Sequence, residues 1–348
     1  MMHQEKKIKL LVTIQAVDLD DPLHGFFHEW LEHAAKDFSS ILVLALRTGR
    51  YALPKNVEVV PLRPKGSRSR WQVVKTLWSI SVTRRQEYDV VFVRGDPQYV
   101  LVGAWLWRCL GKRIIFWYAH YRTTWPMVIA AWFSHVVTSS VPEACSTHWV
   151  RSIQFLGQGI AQDRFAPSTE PRDSAVKLGM IVFGRVSKAK RIDEIIEDFL
   201  ASQIFHRAEL FFIGPAIDRV YVDRIRQLLV SHPEMHWDQE GVSYDQVPRI
   251  LQSYDVMLNA YEASLDKSII EGMMSGLIVI MATNGLRAVL PPTLHWLIAR
   301  DHGSRISAIR RVASMGAEER ASLGHVLREI AVSHHSLDSQ IKKLKALC

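Results

Sequence analysis

The stretch Leu178-Gly-Met-Ile-Val-Phe-Gly-Arg-Val-Ser-Lys-Ala-Lys-Arg-Ile192 decides the fold class. An unbroken apolar run reaches Gly184, a basic turn follows, and an amphipathic run begins at Ile192. A continuous rather than alternating apolar strand is what a sheet covered on both faces requires. A strand that passes through a glycine turn into a helix is the opening half of a βαβ unit.

The unit recurs on both sides. Downstream, strands are predicted at Glu209–Ile213, Val256–Asn259 and Leu277–Met281, after a first strand over Leu178–Arg185. Helices are predicted at Ile192–Ala201, Asp218–Val230, Gln246–Ser253 and Ser268–Ser275, and about the last forty residues read as helical. Upstream, strands are predicted at Ile8–Thr13, Ser40–Leu46, Val57–Leu62, Asp89–Val93, Arg113–Tyr118 and His135–Ser139. Helices at Gly25–Lys36, Arg68–Gln86, Tyr99–Leu110 and Pro142–Val150 lie between or after them. The polar, proline-bearing stretch Ala166–Ser174 reads as a linker. The pattern therefore predicts an α/β protein of two doubly wound, Rossmann-like domains, at 1–165 and 175–330. Residues 331–348 form a last helix expected to pack back towards the first domain. Ligands of such sheets bind outside the carboxyl ends of the strands, so the chemistry is sought in those loops.

Composition agrees. The 348 residues are 48% hydrophobic and 22% charged, which excludes a disordered chain. A net charge of +8 points to anionic partners. Cys109, Cys145 and Cys348 lie far apart without zinc spacing, so neither a disulfide framework nor a metal is expected, and a reducing cytoplasm fits. The basic, briefly apolar N-terminus reads as a first strand rather than a signal peptide. Thr123–Pro142 lacks charged residues but is interrupted by Pro126, Ser134, His135 and Thr138, and reads as a helix and a buried strand rather than a span.

Two segments of the second half carry candidate chemistry. In the loop Gly184–Arg191, Arg185 and Lys190 can converge beside a helix N-terminus, which suits a diphosphate as well as it suits a solvated basic loop. In Ala260-Tyr-Glu-Ala-Ser-Leu-Asp-Lys-Ser-Ile-Ile-Glu-Gly-Met-Met-Ser-Gly276, Ser268 can cap a helix that carries Glu271 and ends at Gly276. Glu271 could accept two hydrogen bonds from a ribose diol, or serve only the helix dipole.

These segments, with Phe212-Ile-Gly-Pro215 and Gly241-Val242 between them, resemble the donor domain of retaining glycosyltransferase family 4, whose fold is GT-B. Phe155-Leu-Gly-Gln-Gly-Ile-Ala-Gln-Asp-Arg-Phe165 is similar to the start of that family's interdomain crossover. Phe116-Trp-Tyr-Ala-His120 resembles its acceptor-domain strand-end histidine. The resemblance implies two domains facing a cleft and a retaining hexosyltransferase that uses a UDP- or GDP-sugar without a metal. Arg185 and Lys190 would hold the diphosphate, with Gly184 and Gly214 shaping the loops. Glu271 would bind the ribose, backbone near Val242 the base, and N–H groups around Lys267 and Ser268 the distal phosphate. His120 would reach the sugar.

One departure stands out. The family carries two glutamates separated by seven residues, but Ala263 sits eight positions before Glu271, with Glu262 one residue further back, and Asp266 replaces the loop's glycine. The Leu265-Asp-Lys267 segment resembles a subset of the family, so the sugar contact is expected at Glu262 or Asp266. A catalytically weak nucleotide-sugar binder and a sugar-nucleotide epimerase remain the alternatives.

Arg63–Gln86 holds seven basic residues (Arg63, Lys65, Arg68, Arg70, Lys75, Arg84, Arg85) and no acid, with Trp71, Val74, Trp78 and Val82 on one helical face. That composition suits an anionic membrane surface as well as an ordinary packed helix with a basic rim. It predicts peripheral attachment to the inner face of the cytoplasmic membrane, with a glycan or lipid-linked acceptor. No nucleic-acid-binding motif is present, and nucleic acid is not an expected partner.

Overall fold

The computed structural model describes residues 7–21, 25–63, 69–120, 122–145, 152–168, 177–216 and 219–348. Lys65, Arg68 and most of the Ala166–Ser174 linker lie outside these residues. The first half runs β1 (Lys9–Val17), α1 (Phe26–Asp37), β2 (Ser40–Thr48), β3 (Val57–Pro61), α2 (Arg70–Thr83), β4 (Val90–Arg94), α3 (Pro97–Cys109), β5 (Arg113–Trp117), α4 (Trp125–Phe133), β6 (Val136–Ser139) and β7 (Ile153–Phe155). The second runs β8 (Leu178–Phe183), α5 (Ile192–Ser202), β9 (Ala208–Ile213), α6 (Arg219–Leu229), β10 (Met235–Asp238), α7 (Val247–Leu251), β11 (Val256–Asn259), α8 (Lys267–Met274) and β12 (Ile278–Met281). Three helices follow, α9 (His302–Ser314), α10 (Ala317–His335) and α11 (Leu337–Ala346).

The strands form two parallel sheets, ordered β3-β2-β1-β4-β5-β6-β7 and β10-β9-β8-β11-β12. Two compact units contain them. The first comprises Met1–Gly159 and Leu337–Cys348, the second Ile160–Ser336. The chain thus leaves the first unit at Gly159 and returns to it at Leu337.

In the first unit, the period-2 pleat divides each strand between two cores. Leu11, Leu42, Leu44, Val91, Val93, Ile114 and Phe116 face α2, α3 and α4 in one continuous cluster. On α1, Trp30 stacks on Phe92 at 5.7 Å. The same indole N–H donates to Gln340 Oε1 at 2.9 Å, and Gln340 Nε2 donates to the Gly157 carbonyl at 3.0 Å. Burying these polar groups with partners seats α11 on α1.

Two strands escape the sequence reading. Ile153-Gln-Phe155 and Met235-His-Trp-Asp238 are the outer strands β7 and β10, where one polar residue interrupts an already short, part-exposed run. The helix expected over Pro142–Val150 is a single 3₁₀ turn at Pro142–Ala144, with residues 146–151 outside the description. Proline at its start and the His120–Cys145 bridge after it hold the backbone extended.

His135 sits where α4 turns into β6. Its Nδ1 accepts from the Ile114 N–H at 2.9 Å, so that nitrogen carries no proton. Burial, then Arg108 and Arg113, push its pKa below the usual 6.5. A base with a depressed folded pKa contributes stability that is complete above the unfolded value and is lost as pH falls through the folded one. The melting temperature should therefore fall from pH 6.5 downwards, and less steeply in His135→Gln, in parallel thermal melts across that range.

Candidate functional site

The loops after β8, β9, β10 and β11 lie together at the carboxyl edge of the second sheet. Gly184 and Gly214 close the first two strands. The Gly184 N–H donates to Ile213 O at 3.0 Å, and the Gly214 N–H donates to Asp238 O at 3.1 Å. Both glycines have positive φ, +129° and +150°, and a Cβ on Gly214 would lie 2.1 Å from the Gly184 carbonyl oxygen. Only glycine allows this approach. The chain then turns, with Val186 N–H donating to Pro215 O at 3.0 Å. Arg185 is left exposed, and Lys190 comes back beside it. Gly184, Arg185, Lys190, Asn259 and Ala260 line one small recess, floored by Ile192 and Ile195.

Lys190 is not loose in that recess. Its ammonium is in a close ion pair with Asp266 and stands 4.4 Å over the Tyr261 ring. Asn259 Nδ2 donates to the same Asp266 oxygen at 2.9 Å. Glu262, the other candidate carboxylate, accepts from Arg191 at 2.7 Å and lies 3.5 Å from Arg300. Arg191 has φ +49° and ψ +47°, a left-handed conformation that turns the loop into α5.

A buried relay stands behind these guanidinium groups. Glu194 lies 3.5 Å from Arg191 and 2.7 Å from Arg305. Arg305 pairs closely with Asp198, which is 1% exposed, and donates to the Arg300 carbonyl at 2.8 Å. His302 Nδ1 reaches Asp198 at 2.6 Å. Charges taken this far from water persist only when paired and hydrogen-bonded.

The helix beside the recess begins one residue earlier than expected. Asp266, not Ser268, is the N-cap of α8, and it makes no side-chain capping bond. Its carboxylate serves Lys190 instead. Lys267 and Ser268 occupy the first turn, at the helix end whose dipole suits an anion. Glu271 is buried on the inner side of α8, and Gly276, with φ +86°, follows its end. Val242 follows Gly241 in the loop after β10 and is half-buried. In the first unit, His120 is exposed just past β5, and its Nδ1 accepts from the Arg122 N–H at 3.1 Å. The neutral ring then carries its proton on Nε2.

Four residues escaped the sequence reading: Arg191, Arg300, Tyr261 and Asn259. Arg191 adjoins Lys190 in the quoted loop, yet nothing local signals its left-handed turn towards Glu262. Arg300 stands thirty-eight residues from Glu262 without a motif. Together the edge presents Lys190, Arg191 and Arg300 paired with Asp266, Glu262 and Glu194, beside the exposed cation of Arg185.

No protein-family model and no curated protein matches this sequence. Solved structures do. Anabaena HepE in complex with UDP and glucose superposes with a TM-score of 0.71 at 14% identity, covering 97% of this chain and 98% of that one. WaaG, a glycosyltransferase involved in lipopolysaccharide biosynthesis, gives a TM-score of 0.63 at 15% identity over 97% and 98%. The UDP-forming α,α-trehalose-phosphate synthase of Burkholderia vietnamiensis gives 0.69 at 12% identity over 97% of each chain. The fold is GT-B. GT-B likeness at this identity speaks for architecture, and the chemistry rests on side chains. Among the described residues, no group of three His, Cys, Asp or Glu side chains could hold a metal ion.

Proposed function

We propose that this GT-B protein is a retaining hexosyltransferase that moves a sugar from a nucleoside-diphosphate donor, preferentially a UDP-sugar, to a glycan or lipid-linked acceptor. The observation that carries the reading is the recess at the carboxyl edge of the second sheet. There Arg185 lines the recess with Lys190, and Lys190 is anchored by Asp266, the N-cap of α8. The solved neighbours bound to UDP and to UDP-glucose support the choice of base.

In this reading Arg185 and Lys190 take the diphosphate, Lys267 and Ser268 N–H groups its distal phosphate, Glu271 the ribose and backbone near Val242 the base. Cleaving the bond between anomeric carbon and phosphate makes the diphosphate more negative, so cations fixed on the leaving group lower the barrier and no metal is needed. Asp266 or Glu262 contacts the sugar, and His120 is the histidine proposed to reach it. The setting is polysaccharide or glycolipid assembly in the cytoplasm, with the basic stretch 63–86 against an anionic membrane face.

The pairing of both carboxylates, Asp266 with Lys190 and Glu262 with Arg191, favours a second reading as a nucleotide-sugar binder that transfers little. Calorimetric titration with UDP, GDP and their hexose conjugates separates the two. The transferase reading expects UDP to bind, Arg185→Ala to weaken it about tenfold or more, and UDP-hexose to release UDP with an acceptor. UDP binding without any sugar release across acceptors would establish the binder. No binding of any nucleotide would remove both.

A further inference from the structure

The outer surface of α2, α3 and α4 in the first unit is unusual in what it leaves exposed. Trp125 is 76% and Trp132 75% exposed, with Ile129 and Phe133 also open to solvent. These four fall at i, i+4, i+7 and i+8 on α4, so they form one face of the helix. The opposite face, Met127, Val128, Ala130 and Ala131, is buried in the core. No polar side chain occurs from Trp125 to Phe133, so the nine-residue helix is apolar all round. A helix of that kind is ordinarily buried on every side or in contact with lipid.

The neighbouring helices continue the surface. α3 packs on α4 and α2 on α3. Trp105 on α3 meets Trp78 edge-on at 5.6 Å, and Trp78 meets Trp71 at 5.9 Å. Trp71 and Trp105 are exposed at the two ends of this row, while Trp78 is anchored by its N–H to the Val102 carbonyl at 2.7 Å. Val82 is exposed too. The cations border the apolar groups. Lys75 stands 5.7 Å over Trp71, Arg70 precedes that residue, and Arg108 Nε donates to the Phe133 carbonyl at 2.8 Å.

Charge selects the occupant. Between Glu58 and Glu87, and again between Asp96 and Glu143, the sequence contains no acidic residue at all, although α2, α3 and α4 all lie in those intervals. A protein partner is covered by mixed charge, whereas this surface would meet only negative groups without repulsion. Tryptophan rather than leucine dominates the apolar groups, and indoles settle at the headgroup boundary where one edge is dry and the other wet. No described helix is long and apolar enough to cross a membrane. A nine-residue helix, about 14 Å long, fits lying in the interface plane with its outer face immersed.

We infer that α4 inserts Trp125, Ile129, Trp132 and Phe133 into the interfacial layer of an anionic bilayer, with the Trp71–Trp78–Trp105 row and the cations of α2 and α3 resting on the headgroups. The inference extends the membrane reading above from residues 63–86 to α3 and α4, and it is independent of what the donor site binds.

The test is cosedimentation with vesicles of phosphatidylcholine alone, or containing about a third phosphatidylglycerol, using the full chain. Wild type should bind the anionic vesicles far more strongly than the neutral ones, less so as salt rises. Trp125→Ser/Trp132→Ser should weaken that binding about tenfold or more, with its melting temperature unchanged because both rings project outward. Brominated lipids should quench wild-type tryptophan emission, which checks insertion without any variant. Undiminished vesicle binding by the double variant would overturn the inference. If Arg70→Gln/Lys75→Gln abolishes binding while the tryptophan variant keeps it, attachment returns to α2. A wild-type dimer that becomes a monomer in the double variant, with neither binding vesicles, would show instead that a second copy covers this face.

Discussion

Arg305→Ala should destabilise the second unit by about 3–5 kcal/mol, lowering its melting temperature by roughly 6–20 °C for a unit of this length. Arg305 and Asp198 are 4% and 1% exposed, and the guanidinium reaches Asp198, Glu194 and the Arg300 carbonyl at once. Truncating it leaves the Asp198 carboxylate inside a packed interior with His302 as its remaining partner among the described residues. The cost is therefore that of an uncompensated buried charge, larger than the net worth of the pair. Removing both charges tells the two apart. Asp198→Leu/Arg305→Met fills similar volume without a charge in that pair and should recover most of the lost stability in urea titrations. If the single variant loses under 1 kcal/mol, the pair is solvated and the argument fails. The single variant should also loosen the site, because Arg305 positions both the Arg300 backbone and, through Glu194, Arg191, the two groups that hold Glu262.

The second large effect concerns ligand binding. Lys190→Ala should weaken UDP by about 30-fold or more, since a charge-assisted contact in a part-buried site contributes on the order of 2–4 kcal/mol. Asp266→Asn is expected to behave differently. It leaves the ammonium in place against Tyr261 and Asn259's neighbourhood but removes the competing negative charge, so UDP should bind as well or better. Sugar transfer should nevertheless fall by about 100-fold if Asp266 meets the sugar. Titration of both variants with UDP, beside steady-state rates with UDP-hexose, checks the pair of expectations. Equal weakening by Asp266→Asn and Lys190→Ala would show that the aspartate only shapes the lysine for the phosphates.

Much of the architecture was legible in the order of residues because parallel strands buried on both faces must be continuous apolar runs. Leu178–Phe183 and Arg113–Trp117 are read in this way without any partner. Gly184, Arg185 and Lys190 were legible for a related reason, since a tight turn between strand and helix needs glycine and leaves its cations within a few residues of one another. Edge strands such as Met235–Asp238 were not legible. Half their surface is wet, and the apolar signal that marks a strand is weakened there.

What only the tertiary structure decided is which charges meet. Asp266 could have capped α8, yet packing turns it onto Lys190, seventy-six residues away. Arg300 and Arg191 close on Glu262 from different loops, and Arg305 reaches back to Asp198 across 107 positions. Likewise the sequence marks Trp71 and Trp78 as one helical face, and the fold turns Trp78 inward while exposing Trp125 and Trp132. Local pattern determines elements because hydrogen bonding and side-chain periodicity act over a few residues. Ion pairs and exposed faces depend on which elements become neighbours, and that is decided by burial of the whole core.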